Sequence, residues 1–224
     1  MVLTGDEAHH LARVRRIEVG QTIELFDGLS EDAVLAEIQE ISSKRVVALA
    51  TSPPRPGRHP AVNLTLAVAF PKGERLDWLV EKAVEIGVST LQPILAGRSV
   101  VDPRPAKLDR LRRHVIEASK QCGRNRLMAI QDPVRWLDWI PVCGDSLRLL
   151  AHPGGIRQGQ WPNWPPESHL TLAVGPEGGF TDAEVEAARL ARWIPIDIAP
   201  TILRIETAAL VGSALIINHA QSET

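Results

Sequence analysis

Gly175-Pro176-Glu177-Gly178-Gly179 is the stretch of this 224-residue chain whose composition most directly invites chemistry. Three glycines in five positions leave backbone bare, so a ligand can lie against N–H and C=O groups that side chains would otherwise cover. The motif is not a familiar phosphate or nucleophile loop. It lacks the GxGxxG spacing of dinucleotide binding, and the chain contains no GK[ST], GxSxG or HExxH, so neither a serine hydrolase nor a zinc enzyme is expected. His9-His10 is the nearest approach to a metal motif. Neighbouring side chains do not point at one ion, no Cys or carboxylate cluster accompanies them, and no metal is expected.

The elements around the glycines must position them. Residues 170–174 form an apolar run of strand length that stops at Gly175, and Thr181-Asp182-Ala183-Glu184 has the capping-box pattern of a helix start, followed by a helix around 185–191. The glycine loop therefore joins a strand to a helix, the place where ligands bind in open α/β sheets. Upstream, residues 64–70 read as a strand covered on both faces, and Leu76, Leu79, Val80, Ala83 and Val84 recur at helical spacing up to the stop at Gly87. A strand at 91–95 follows. After Pro103 and Pro105, Leu108, Leu111, Val115, Ala118 and Cys122 mark a second amphipathic helix, and 147–151 is a buried strand ending at His152-Pro153. Residues 154–166, rich in Gly, Pro and Trp, read as an irregular surface loop. Residues 194–198 form a short strand whose Pro195 implies an edge, and 204–220 form a helix apolar around most of its circumference. This β/α order predicts a parallel sheet with helices on both faces. Three strand ends converge, at Ala151-His152-Pro153, at 175–179 and at 199–204.

Ahead of this domain, short strand-like runs at 22–26, 33–38 and 46–50, with a hairpin signal at Asp27-Gly28, predict a small β barrel or curled sheet. The proline-rich segment 51–60 cannot continue a sheet or helix and marks the boundary, giving domains at 1–55 and 61–224. Cys122 and Cys143 form no CxxC pair, no signal-peptide pattern opens the chain, and no apolar run reaches membrane-spanning length. A soluble cytoplasmic protein without a membrane partner is expected. The net charge of −2 excludes a global basic field, yet residues 98–126 carry nine cations (Arg98, Arg104, Lys107, Arg110, Arg112, Arg113, Lys120, Arg124, Arg126) against Asp102, Asp109 and Glu117. Such a run suits a phosphate backbone, or is simply a solvated helix face.

Four ordered motifs then carry a resemblance. Lys72-Gly73-Glu74-Arg75 with Glu81-Lys82-Ala83-Val84-Glu85-Ile86-Gly87-Val88, Gln121-Cys122-Gly123-Arg124, Val174-Gly175-Pro176-Glu177-Gly178-Gly179-Phe180 and Ile202-Leu203-Arg204-Ile205-Glu206-Thr207-Ala208 together resemble the RsmE family. These are small-subunit ribosomal RNA uridine-N3 methyltransferases of the SPOUT class, and the match runs through almost the whole chain, including His9-His10-Leu11 and Leu25-Phe26-Asp27-Gly28. The resemblance implies S-adenosylmethionine bound in a trefoil knot of a SPOUT-type α/β domain, a PUA-like β-barrel domain in front, and a homodimer packed near the knot. It implies cofactor contacts at Leu150, Ala151, His152, Gly175, Pro176, Glu177, Gly178, Gly179, Ile198, Ala199, Ile202, Leu203, Arg204 and Thr207. The chain departs from the family pattern at Arg15, where leucine is usual, at Lys120, which replaces an acid, and at Ile198-Ala199, which replaces Leu-Gly.

Methyl transfer from a sulfonium to uracil N3 requires the imide proton to leave and the developing negative charge to be stabilised. Arg204 and Glu206, beside the expected pocket, carry the types needed: a cation for the uracil carbonyl oxygens and a carboxylate for the proton. A structural role competes for each, with Arg204 satisfying loop carbonyls and Glu206 favouring the first turn of the last helix through its dipole. Ribosomal RNA or the small subunit is the expected partner, with phosphate contacts from Arg13, Arg15, Arg16, Lys72, Arg75, Arg98, Arg112, Arg113 and Arg124. The alternatives are a SPOUT enzyme acting on another RNA base and a non-catalytic RNA-binding assembly protein. Intact 175–179 and 202–208 motifs argue against the second.

Overall fold

Strands whose successive side chains are all apolar need cover on both faces, and the larger part of this chain supplies it. A computed structural model describes the chain except for residues 43, 58, 102, 145 and 222–224. Asp102, one of the three acids set against the basic run, lies outside the described residues, as does Arg58 of the proline-rich segment. The chain divides into two compact units, Met1–Arg58 with Gly123–Arg126, and His59–Cys122 with Leu127–Thr224. A contiguous division at 55 and 61 does not capture the short segment 123–126 that belongs to the first unit.

In the first unit β1 (Val2–Thr4), α1 (Gly5–His9), β2 (Thr22–Phe26), β3 (Asp32–Ile41), β4 (Arg45–Ala50) and β5 (Arg55–Pro56) follow in order. The antiparallel sheet runs β1-β4-β3-β2, with β5 also paired to β3. Alternation places Ala36, Ile38, Val46 and Ala48 in one small core with Ala8. A register shift between Ile38 and Glu40 bends β3. The pairing of Arg55–Pro56 corrects the expectation that the proline-rich segment leaves the sheet, because proline is tolerated at a sheet edge where its missing N–H is not needed. The hairpin between β2 and β3 is present but its loop is longer than a two-residue turn. Asp27 stabilises it, Oδ1 accepting from the N–H groups of Leu29 and Ser30 at 2.8 Å each and from Ser30 Oγ at 3.1 Å.

The second unit contains β6 (Asn63–Val68), α2 (Arg75–Ile86), β7 (Thr90–Leu95), α3 (Pro105–Cys122), β8 (Ala129–Ile130), β9 (Val134–Arg135), α4 (Trp136–Trp139), β10 (Leu147–Ile156), β11 (His169–Val174), α5 (Asp182–Leu190), β12 (Ile194–Ile196) and α6 (Ile205–Gln221). All pairs are parallel, in the order β12-β10-β11-β6-β7-β8, with β9 beside β7. Side chains alternate between two cores. Leu64, Leu66, Val68, Leu149, Leu170 and Leu172 meet residues of α2, α3 and α6 on one face. Ala67, Ala69, Leu150 and Ala173 face the other, where small strand residues leave room for Trp136 and Trp193. Gly87 ends α2 at φ 106°, a left-handed cap, and a side chain there would collide with Pro60.

Three expectations are corrected in this unit. The strand opening at Leu147 does not stop at His152-Pro153 but continues to Ile156, because residues 152–155 bulge out and pairing resumes on the same Ile196. Residues 154–166 are not a surface loop throughout: Trp161 and Trp164 are buried in the first core, next to His219 of α6. Cys122, at an expected apolar position of α3, is exposed, since it lies in the last turn beyond the buried Ala118.

The Asp27 turn has a pH consequence. Its carboxyl is held below the usual aspartate range, first by the Ser30 N–H and then by the Leu29 N–H. A carboxylate lowered in the folded state contributes stability above its unfolded value and loses it as pH falls through the folded one. Asp27→Asn should therefore be less stable than the parent at neutral pH, with the gap closing as acid is added, measured by urea unfolding at stepped pH.

Candidate active site

The carboxyl ends of β10, β11 and β12 open onto a cavity of about 660 Å³. Its walls are Ala151, His152 and Pro153 from the bulge in β10, Val174 to Phe180 from the loop after β11, and Ile196 to Leu203 with Ile205 and Ala208 from the segment leading into α6. The volume is that of a site for a small organic ligand, and the lining combines apolar side chains with loop backbone. All the residues expected to touch a cofactor line it except Leu150, Arg204 and Thr207. Leu150 is fully buried in the second core, because the strand alternation turns it away. Arg204 is exposed and stands in the chain between Leu203 and Ile205, both lining. Thr207 lies in the first turn of α6, half-buried. Pro153, Pro200 and Thr201, within the expected strand-end segments, also line it, whereas Asp197 was missed, although the end of β12 was its signal.

The glycine loop is shaped by two needs. At Gly179 the backbone has φ 69°, and at Gly175 a Cβ would sit 3.0 Å from two ring carbons of Phe180. Phe180 is the anchor that makes the second contact unavoidable, since its ring packs on Trp136 with centroids 4.7 Å apart. Trp136 in turn meets Trp193 edge-on at 5.0 Å. The loop thus folds back over its own buried aromatic.

Beyond it the expected capping box is formed. Thr181 Oγ1 accepts from Glu184 N–H at 3.2 Å, while Glu184 Oε2 accepts from Thr181 N–H at 2.8 Å and from Thr181 Oγ1 at 3.0 Å. Glu184 does more than cap. It is 4% exposed, and its Oε1 accepts from Gly97 N–H at 2.7 Å, tying the loop after β7 to the start of α5.

Glu206 is buried at the first turn of α6. Its Oε1 lies 3.7 Å from Arg75 Nη1, and its Oε2 has no hydrogen-bond partner among the described residues. Neither Glu206 nor Arg204 lines the cavity.

The expected RNA contacts are dispersed. Arg13, Arg15 and Arg16 are exposed on the first unit, which also holds the half-buried Arg124. On the second unit Lys72 is exposed, Arg75 faces Glu206, and Arg112 pairs with Asp109 at 2.8 Å. Arg113 is exposed and has no acidic partner among the described residues. Other cations of the run are also engaged: Arg110 grips Asp77 of α2 through two bonds of 2.9 and 2.7 Å, Lys120 pairs with Glu117 at 3.0 Å, and Arg126 lies 3.7 Å from Glu31. Arg98, although exposed, lies against the glycine loop and donates to its carbonyls. The charge count therefore overstates what is available to a phosphate.

Residues 58–217 match the family model described as "RNA methyltransferase domain", and residues 3–50 match "RNA methyltransferase PUA domain". The ribosomal RNA small subunit methyltransferase E of Bacillus subtilis is 31% identical over 228 residues, covering 96% of this chain and 88% of the relative. The solved structure of a ribosomal RNA small subunit methyltransferase E from Neisseria gonorrhoeae, bound to S-adenosyl methionine, has a TM-score of 0.88 at 27% identity over 97% of this chain and 91% of that one. A Legionella pneumophila methyltransferase solved in complex with the same cofactor gives 0.88 at 28% over 98% and 91%. Parallel sheet, cavity at its strand ends and antiparallel domain in front are those of an RNA methyltransferase with a PUA domain. Within that class, the chain belongs to the ribosomal RNA small subunit methyltransferase E family.

Replacing Glu184 by Ala removes the cap and leaves the Gly97 and Thr181 N–H groups without their acceptor. A cap loss of about 1 kcal/mol and a lost hydrogen bond to a charged group of about 1.5–3 kcal/mol add to a destabilisation of roughly 2–4 kcal/mol, measured by urea unfolding.

Proposed function

We propose that this chain is an S-adenosylmethionine-dependent methyltransferase that methylates N3 of a uridine in small-subunit ribosomal RNA. The observation that carries the reading is the cavity at three parallel strand ends, walled by the 175–180 loop and the 196–203 segment, in a chain of this family. Its residues suit the cofactor: Ile196, Ile198 and Leu203 offer apolar wall to an adenosine, the glycine loop offers backbone hydrogen bonds, and Glu177 and Asp197 offer negative charge to a cationic ligand. When bound, S-adenosylmethionine supplies an electrophilic methyl on a positively charged sulfur. The uracil base must enter from the open side, with N3 in line. Arg204, exposed beside the wall residue Leu203, meets the uracil carbonyl oxygen on which charge gathers as the N3 proton leaves. Glu206, with one oxygen unpartnered, is the carboxylate that takes this proton, directly or through a water. The knotted threading of the segment into α6 is part of the same reading.

Homodimerisation also belongs to it. Most of α6 is satisfied within one chain, Ile205, Ala209, Leu210, Ile216 and Ile217 being buried. What remains is a narrower stripe, Thr207, Val211, Ala214 and Leu215, at helical spacing and half-buried or exposed. That stripe, rather than an all-round apolar surface, is the proposed contact with a second copy. The cytoplasm, where ribosomal subunits mature in bacteria, is the proposed compartment.

Incubating the protein and S-adenosylmethionine with small ribosomal subunits, then digesting the RNA and weighing the nucleosides, should yield N3-methyluridine. A different methylated nucleoside would assign another base, and absence of both product and calorimetric heat with the cofactor would leave an RNA-binding protein. Arg204→Ala should lower kcat by about 10²–10³-fold. Glu206→Gln should lower it by about 10²-fold in protein that remains folded, beyond whatever stability is lost with the Arg75 ion pair; a stability loss with kcat unchanged would make Glu206 a helix-start residue. Light scattering should report twice the 24.5 kDa chain mass. Arg113→Ala should reduce the slope of log affinity for RNA against log salt by about 0.7–0.9, as expected for one lost phosphate contact, with cofactor affinity unchanged.

A further inference from the structure

Charge and position made Arg98 a phosphate contact in the sequence, but its surroundings give it another task. The segment after β7 closes on itself, Ala96 N–H donating to Ser99 Oγ at 2.9 Å and Ser99 N–H returning to Ala96 O at 2.9 Å. This turn is fastened to the start of α5 by the Gly97 N–H bond to Glu184. From that anchored point the Arg98 stem runs over the glycine loop. A Cβ built on Gly178 would fall 3.1 Å from Arg98 Cδ and 3.5 Å from its Cβ, so the arginine covers the place where a side chain would stand. Its Nη1 donates to Gly178 O at 2.5 Å and lies 3.5 Å from Phe180 O. Within the loop itself one backbone bond, Gly179 N–H to Pro176 O at 2.7 Å, closes the turn.

We propose that Arg98 is a positioning residue: it cross-links the end of β7 to the 175–180 loop and holds that loop in the shape that receives S-adenosylmethionine. The proposal rests on reading the cavity as the cofactor site. A guanidinium bonded to a carbonyl oxygen makes a charge-assisted contact stronger than a neutral one, and here a single nitrogen, Nη1, faces both carbonyls, the Gly178 bond being the short one. A loop already held needs no ordering when ligand arrives, which conserves affinity. Glu184 holds the neighbouring Gly97 N–H and the Thr181 N–H, so the two charged side chains brace one loop at its middle and at its end.

The test compares Arg98→Met, which keeps the stem without donors, with Arg98→Lys, which keeps the charge and one donor. In the methionine variant the KM for S-adenosylmethionine should rise about tenfold or more, the effect of losing a hydrogen bond to a charged group, while kcat at saturating cofactor stays within about twofold and lysine recovers part of the loss. The Gly179 amide should exchange with deuterium faster in the cofactor-free methionine variant, and the salt slope of RNA binding should match the parent. Unchanged KM and exchange with a shallower salt slope would overturn the proposal and return Arg98 to the phosphate surface. A drop in melting temperature with unchanged KM would also overturn it, leaving only a structural role. If the parent protein itself gives no calorimetric heat with S-adenosylmethionine, the cofactor reading fails, and the exchange rate still decides whether Arg98 holds the loop.

Discussion

The carboxylate of Glu184 is the interaction on which the site's architecture depends. A charge buried to this degree is tolerable only if its lone pairs are filled, and here they are filled by backbone N–H groups from two separate loops and by one hydroxyl. Consequently the end of β7 and the end of β11 cannot move independently. The cavity at the strand ends inherits a fixed wall, and the parallel register of β6, β7, β10 and β11 places both loop ends on the same edge of the sheet. Nothing in a strand–loop–helix unit alone would supply that cross-brace, since a capping box needs only Thr181 and Glu184.

The aromatic cluster beneath the loop completes the arrangement from the other face. Trp136, Trp193 and Phe180 occupy volume that Ala67, Ala69 and Ala173 vacate on the sheet, so a bulky ring immediately after the glycines is drawn down instead of out. Phe180 pulled inward is what forces Gly175 to lack a side chain. The glycine motif is thus partly a packing requirement, and the ligand-accessible backbone follows from it. The same cluster accounts for the fixed position of α4, a helix too short to persist on its own propensity.

The second unit was legible because its strands and helices carry uninterrupted patterns: the apolar runs at 64–70 and 170–174, the 3.6-residue spacing from Leu76 to Val84, and the Thr181–Glu184 cap each correspond to an element. Illegibility began where partners far along the chain decide. His152 to Gly155 read as a strand end because no local pattern announces a bulge, yet the pairing of Ile156 returns the strand to Ile196. Trp161 and Trp164 looked like loop residues because their burial depends on His219, more than fifty residues away. The basic run misled for a related reason: a count of charges is blind to Asp77 on a different helix, and to the loop carbonyls that occupy Arg98. Segment 123–126 could not be assigned to the first unit from its own composition, since its neighbours there include Glu31.

Glu206 shows how the remaining charges are arranged around the site. Burying a carboxylate with one oxygen unpartnered is costly, and the compensation available is electrostatic. It sits in the first turn of α6, where the helix dipole favours negative charge, and it faces Arg75 at 3.7 Å in the first turn of α2. Arg75 is itself at the positive end of its own helix, an unfavourable place for a cation unless an acid lies opposite. Each of the two residues therefore offsets the cost of the other, and breaking the pair leaves both misplaced. At 3.7 Å the contact is an ion pair rather than a short bidentate bond, so neither group is saturated. Glu206 Oε2 is shielded from solvent, so the proton transfer proposed for it requires a water or a movement of the first turn of α6, whereas Arg204, two residues earlier, is exposed and has no acid partner among the described residues. The chemistry proposed for Arg204 and Glu206 thus rests on two charges placed next to the cavity and not in its wall, which makes the approach of the second reactant, and not the cofactor pocket, the step that must bring them into play.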